Sequence, residues 1–241
     1  MRFRLNIRSG IQTPDKKRTY NAGLFARVAR EYDSATRAMS FGRDQTWKQW
    51  LVDSLPDLAN PRCVDLACGT GDVTAGLARR FPNGEIVGVD LTPAMIEIAR
   101  ERCARPNVSF RVADMCCSGL AEGWADVVTG SYALRNAPVL DEALTEVRRL
   151  LKPGGIAAFL DFAKPCARWQ QSLQIPLLRM WGGFWGVVLH GGPEHAYIAE
   201  SLRQFPDRAA LRGQFGRHGF YLEQSRNCFA GMLEIMVYRR R

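Results

Sequence analysis

Val64-Asp65-Leu66-Ala67-Cys68-Gly69-Thr70-Gly71-Asp72 decides the fold. It closes an apolar run that begins at Arg62 and opens a segment of helical periodicity, so it reads as the turn from a first strand into a helix. Gly69 and Gly71 lack a Cβ, so both can take positive φ and bring backbone N–H groups close to a nucleotide-like ligand at the helix N-terminus. A dinucleotide fingerprint of the G-x-G-x-x-G type needs a third glycine at position 74. Thr74 stands there, which weakens the pyrophosphate reading.

Outward from this turn, short apolar runs recur at Arg62 to Ala67, Ile86 to Asp90, Val108 to Val112, Trp124 to Ser131 and Ile156 to Phe162. Stretches of helical spacing separate them, and this alternation predicts an α/β domain built on a parallel sheet. Leu140, Ala143, Leu144, Val147 and Leu150 follow the helical stripe rule, and Lys152-Pro153-Gly154-Gly155 stops that helix before the next strand. Asp207 and Gly219 bracket a late helix, and the runs after it read as a closing hairpin. Between them, residues 164–206 form an insertion. Its Leu177, Trp181, Phe184, Trp185 and Val188 share a helical stripe, which Pro176 and Gly182-Gly183 are expected to break. The stripe is read either as a packed lid or as a lid that also touches a membrane surface.

Two acidic residues narrow the ligand. Asp90 ends the second run about twenty residues after the glycines, where a carboxylate can accept both hydroxyls of a ribose. Asp114, just past the third run, can accept from an exocyclic amine. Asp65 is placed to meet the cationic end of an amino-acid tail. Together they describe adenosine joined to a charged amino acid.

At these residues the chain resembles the class I S-adenosylmethionine-dependent methyltransferases, and within them the ubiquinone and menaquinone biosynthesis C-methyltransferases. The resemblance covers roughly residues 21–238. It is carried by Phe25-Ala26-Arg27-Val28-Ala29-Arg30-Glu31-Tyr32-Asp33, Met39-Ser40-Phe41-Gly42, Leu134-Arg135-Asn136 and Tyr197-Ile198-Ala199-Glu200-Ser201-Leu202-Arg203-Gln204-Phe205-Pro206. It implies a Rossmann-like seven-stranded sheet with the last strand antiparallel and helices on both faces. It also implies S-adenosyl-L-methionine as cofactor, held by Thr70, Asp90, Asp114, Met115 and Ser131, with Tyr32, Asp65, Gly69, Gly71 and Leu91 completing the pocket. The sequence departs from the family after Asp114, where Met115-Cys116-Cys117-Ser118-Gly119-Leu120 replaces a leucine-proline-phenylalanine turn.

The implied reaction is C-methylation of the ring of a quinone precursor or similar phenolic lipid. Transfer from a sulfonium is an in-line displacement that mainly requires positioning and exclusion of water. A ring-carbon acceptor needs an ionised neighbouring hydroxyl and later loses a proton to a base. Arg135, Asn136 and Tyr197 are the expected catalytic residues, with Arg135 holding a phenolate or orienting a water. His190 and His195 are secondary candidates for the base. Two other readings stay open: an O- or N-methyltransferase of a soluble aromatic metabolite or phospholipid headgroup, and a noncatalytic scaffold of the same fold.

The formal charge of +9 is concentrated at the ends. Residues 1–30 hold eight Lys or Arg against one Asp, and Arg239, Arg240 and Arg241 add three more, so the body is nearly neutral. This argues against a nucleic-acid partner and predicts a basic tail over residues 1–20 ahead of a single domain over 21–241. Seven cysteines without a C-x-x-C and three histidines without metal spacing predict no disulfide framework and no metal, hence a reducing, cytoplasmic setting with peripheral membrane contact as the strongest membrane role. Homo-oligomerisation is left open.

Overall fold

A computed structural model describes residues 12–190 and 197–241. Among the described residues three helices come first, α1 (Pro14–Val28), α2 (Tyr32–Met39) and α3 (Asp44–Asp53). The alternating body follows as β1 (Arg62–Leu66), α4 (Asp72–Arg80), β2 (Glu85–Asp90), α5 (Pro93–Arg102), β3 (Val108–Val112), β4 (Ala125–Ser131), α6 (Leu140–Leu150) and β5 (Leu151–Phe162). The chain ends with α7 (Arg168–His190), α8 (Tyr197–Gln204), α9 (Arg208–Arg217), β6 (Phe220–Cys228) and β7 (Leu233–Arg240). The seven strands form one sheet in the order β3-β2-β1-β4-β5-β7-β6, with β7 antiparallel to both neighbours, as the resemblance implies.

Alternation along each strand gives the sheet two buried faces. Cys63, Ile86, Val127, Ala158, Leu160 and Val237 pack against Trp47, Leu51, Val73 and Leu77 of α3 and α4. Val64, Leu66, Val128, Phe159, Met236 and Tyr238 pack on the other side against Leu144, Val147, Leu211 and Phe215 of α6 and α9. The Phe215 and Tyr238 rings stack with centroids 3.8 Å apart. The Lys152–Gly155 turn is expelled from the start of β5, since the register with β4 jumps from Leu151 to Ile156. Asp207 caps α9 as expected, accepting from the Ala210 amide at 2.9 Å.

Two expectations need revision. Helix α1 takes in residues 14–20 of the expected tail; Thr13 caps it, and Pro14 suits the first turn because its missing N–H would have no helical partner. Arg2, Arg4 and Arg8 lie outside the described residues. In the insertion, α7 runs continuously through Pro176 and Gly182-Gly183 for 23 residues. A proline inside a helix forfeits one hydrogen bond, and burial of Ile175 and Leu178 on the inner face offsets that loss. The predicted single stripe is divided between faces: Trp181 turns inward, while Leu177, Phe184 and Val188 are exposed. Among the described residues, no helix is long and apolar enough to cross a membrane.

The sheet order places the site. The chain reverses direction of travel between β1 and β4, and the crevice at their C-terminal ends is where an open α/β sheet binds ligands.

Candidate active site

The glycine turn is held from two sides. Gly71 has φ of +88° and caps α4; a Cβ there would lie 3.2 Å from the Ala99 Cβ and 3.6 Å from the Phe110 ring. Gly71→Ala should therefore destabilise the fold by about 1–3 kcal/mol, read as a lower thermal midpoint. Gly69, with φ of +54°, faces open space where a Cβ would stand, and its N–H donates to Asp90 Oδ2 at 2.9 Å. The Thr92 N–H donates to Asp90 Oδ1 at 2.8 Å. Each Asp90 oxygen thus has one backbone donor and keeps a lone pair for a ligand. Burial pushes the Asp90 carboxyl above its ordinary range, and these two amides oppose the shift.

Around this carboxylate lies a cleft of about 650 Å³, counting its open mouth. Tyr32, Gly69, Asp90, Leu91, Asp114, Met115, Ser131 and Asn136 line it, so eight of the expected site residues meet here. Leu91, Met95 and Met115 supply the apolar walls a flat base needs, and Asp114 stands at the edge. Asp114 is already engaged: Oδ2 accepts from Arg18 Nε at 2.5 Å and Oδ1 from the Cys116 amide at 2.9 Å.

Three expected cofactor residues, Asp65, Thr70 and Gly71, do not line this cleft. Asp65 is buried beneath the turn, and its oxygens accept from Thr74 Oγ1 at 2.7 Å and Thr129 Oγ1 at 2.9 Å, so it braces β1 against α4 and β4 and does not reach the cleft. Thr70 also turns away, donating from Oγ1 to Asp33 at 2.8 Å. This links the glycine turn to α2, and Arg102 bridges Asp33 and Asp72. Lys48 joins Asp72 at 2.9 Å to Asp44 at 2.7 Å; burial opposes its charge, and these carboxylates hold its pKa above the ordinary lysine range.

Burial pushes the Asp65 carboxyl from 3.8 up to about 6. Between those values the unfolded chain gives up this proton before the folded one does. Stability should therefore fall as pH rises from about 4 to about 6, with this residue contributing on the order of 2–3 kcal/mol. Urea unfolding at several pH values reads the effect, and Asp65→Asn should flatten it.

A second cavity, of about 920 Å³ with its mouth, adjoins the cleft. Phe25, Tyr32, Tyr132 and Asn136 line both spaces and form a shared wall. The second cavity is apolar, with Leu24, Val28, Met39, Trp47, Phe162, Leu178 and Trp181 on its walls and Arg135 as the one charged side chain among the described residues that line it. Tyr132 sits in the left-handed region at φ of +56°, directly after β4, and its hydroxyl donates to Asp44 Oδ1 at 2.8 Å. Such strain at a bulky residue is concentrated where surrounding contacts dictate a side-chain direction.

Arg135 and Asn136 lie on a short helical turn after β4. Arg135 Nη1 donates to Ser201 Oγ at 2.6 Å, and Nε lies 3.7 Å from Asp161 Oδ1. Its guanidinium covers the Phe162 and Tyr197 rings at 5.1 and 5.8 Å. Asn136 Nδ2 donates to the Tyr132 carbonyl at 2.8 Å. Tyr197 lines the cavity with its ring and spends its hydroxyl on Asn21 Oδ1 at 2.6 Å; burial pushes its pKa up to about 12, as it does for Tyr32. The His190 side chain and His195 lie outside the described residues.

Sequence reading missed Phe25 and Tyr132 of the shared wall, Asp161 behind Arg135, and the inner face of α1. Lys17 Nζ donates to the carbonyls of Arg135 and Ala137 at 3.0 and 2.7 Å, and Asn21 Nδ2 to that of Asn136 at 2.8 Å. Helix α1 therefore fastens the Arg135-Asn136 turn and, through Arg18, the Asp114 edge. A lysine-lysine-arginine run gives no local hint of partners about a hundred residues away.

Comparison with known proteins agrees with this geometry. The ubiE/COQ5 methyltransferase family matches residues 13–237. The ubiquinone/menaquinone biosynthesis C-methyltransferase UbiE of Proteus mirabilis is 32% identical over 237 residues, covering 94% of this chain and 93% of that protein. The 2-phytyl-1,4-naphtoquinone methyltransferase of Thermosynechococcus vestitus is 34% identical over 221 residues, covering 90% and 97%. Among solved structures, a chain of the complex between the Haloferax volcanii Trm112 methyltransferase activator and a methyltransferase superposes with a TM-score of 0.66 at 16% identity, covering 89% of this chain and 96% of that one, which speaks for the fold alone. With the family matched from α1 into β7, the chain belongs to the ubiE/COQ5 methyltransferase family.

Proposed function

We propose that the protein transfers a methyl group from S-adenosylmethionine to a ring carbon of a lipophilic quinol. The observation that carries this reading is the wall of Phe25, Tyr32, Tyr132 and Asn136 shared by the two cavities. A methyl donor in one space and a flat aromatic acceptor in the other meet across it. The cleft fits the donor: Asp90 offers two free lone pairs to ribose hydroxyls, Gly69 leaves room where a side chain would intrude, and Met95 and Met115 flank a base whose amine Asp114 can receive. Bound there, S-adenosylmethionine supplies an electrophilic methyl group on a positively charged sulfur.

The residues of the chain do the remaining work. Apolar walls exclude water and take up the ring and the beginning of a hydrocarbon tail. Arg135, the charged group in that space, holds an ionised ring hydroxyl and keeps its electron density available to the neighbouring carbon. Asp161 and Ser201 fix the guanidinium for that task. The ring proton released afterwards passes to water beside Arg135, since burial keeps the Tyr32 and Tyr197 phenols protonated and Asp161 is enclosed by backbone donors. Among the described residues the cavity lining holds the Arg135 guanidinium and no carboxylate, a setting that disfavours a cationic amine as acceptor.

The test is an assay with labelled S-adenosylmethionine and 2-phytyl-1,4-naphthoquinol, with the label located by mass spectrometry and NMR. Methylation at the ring carbon of the reduced form, and none of the oxidised quinone, is expected. Label on oxygen, or no transfer by a protein that binds S-adenosylhomocysteine, would overturn the substrate assignment.

A further inference from the structure

The outward face of α7 carries Trp169, Leu173, Leu177, Met180, Phe184 and Val187 at helical spacing, each between 57% and 72% exposed. Stripes of this size on a soluble surface mark a partner. Its charge setting narrows the choice. No Asp or Glu occurs between residues 162 and 193, while Arg168 and Arg179 lie on the helix. Arg37 and Arg43 flank exposed Phe41, which stands against Trp181 at 5.2 Å. Two copies of this face brought together would set arginine against arginine with no carboxylate from the helix to relieve them. An anionic surface answers both the apolar stripe and the cations.

The same helix touches the substrate space. Leu178, Trp181 and Gly182 line the apolar cavity from its inner side, so the wall of the cavity and the outer stripe are two faces of one element. Resting on the function proposed above, the geometry points to α7 as a docking face for an anionic lipid bilayer, with the cavity filled from the membrane side. The helix lies in the headgroup plane, the arginines meet lipid phosphates, and a polyprenyl-type tail keeps its far end in the hydrocarbon while its ring enters past Trp181.

The experiment uses the full chain and two kinds of vesicle, phosphatidylcholine alone and an equal mixture with phosphatidylglycerol. Cosedimentation with the anionic vesicles is expected, with weaker binding to the neutral ones. Leu173→Glu combined with Met180→Glu changes two exposed side chains outside the cavity lining. It should reduce vesicle binding by roughly tenfold or more, while leaving S-adenosylhomocysteine affinity and turnover of a short-chain quinol as in the wild type. Equal vesicle binding by the double variant, or no binding by the wild type, would overturn the proposal. So would a wild-type dimer that the double variant splits, since the stripe would then be a self-association surface. Loss of cofactor binding or turnover with vesicle binding intact would instead sink only the enzymatic reading.

Discussion

Asp90→Ala is expected to weaken S-adenosylhomocysteine binding by about a hundredfold or more, since removing an acceptor from two buried donors and from the ligand costs about 3 kcal/mol. The carboxylate serves two ends at once: it receives the Gly69 and Thr92 amides, which sets the shape of the cleft floor, and it keeps one lone pair per oxygen for the ribose. Asp90→Asn retains the size but offers an amide nitrogen where an acceptor is needed, so it should recover little of the loss. Titration calorimetry gives the affinity, and circular dichroism separates it from any change of fold. Wild-type-like affinity in both variants would show that the cleft is not the cofactor site.

The second large effect lies in the apolar cavity. Arg135→Met should lower turnover by about 100- to 1,000-fold, the range seen when a preorganised group facing developing charge is removed. Affinity for S-adenosylhomocysteine should stay nearly unchanged, because Arg135 lines the apolar cavity and not the cleft. The substitution also leaves Asp161, which is fully buried, without its cation. A drop in stability of about 3 kcal/mol is therefore expected alongside. The double variant Arg135→Met with Asp161→Asn separates the two losses: removing the buried charge should recover part of the stability, the remainder being lost because the new amide nitrogen faces a backbone N–H, and turnover should not recover. Turnover restored together with stability would reduce Arg135 to a structural role.

How far the sequence could be read depended on the range of the interactions involved. The strands and the glycine turn were legible because apolar runs, turn residues and helix caps are local signals; Asp207 and the Val64–Asp72 stretch carry theirs within a few residues. Asp90, from its place at the end of the second run, and Leu91, Met115 and Ser131, through the resemblance, were expected at a cofactor, and each lines the cleft. Asp65 was expected at the ligand because its neighbours in sequence do not disclose that Thr74 and Thr129 each donate to one of its oxygens beneath the turn. Lys17 and Arg18 looked like a solvated tail for the same reason: their charges are answered by the Arg135 turn and by Asp114. The division of the α7 residues between two faces escaped a pattern reading because hydrophobicity alone does not say which apolar side has a neighbour. Pro176 was given too much weight, since propensity is a weak prior once a helix face is packed.

The position of β7 also bears on how the protein is made. Leu233–Arg240 is synthesised after β6 yet lies between β5 and β6, so β6 has no strand to pair with until the final strand has left the ribosome. Until then β5 presents an open, apolar edge, of the kind that recruits other nascent chains. Completion of the sheet thus waits for β7, and a chain that stopped before Leu233 would lack an interior strand of the sheet.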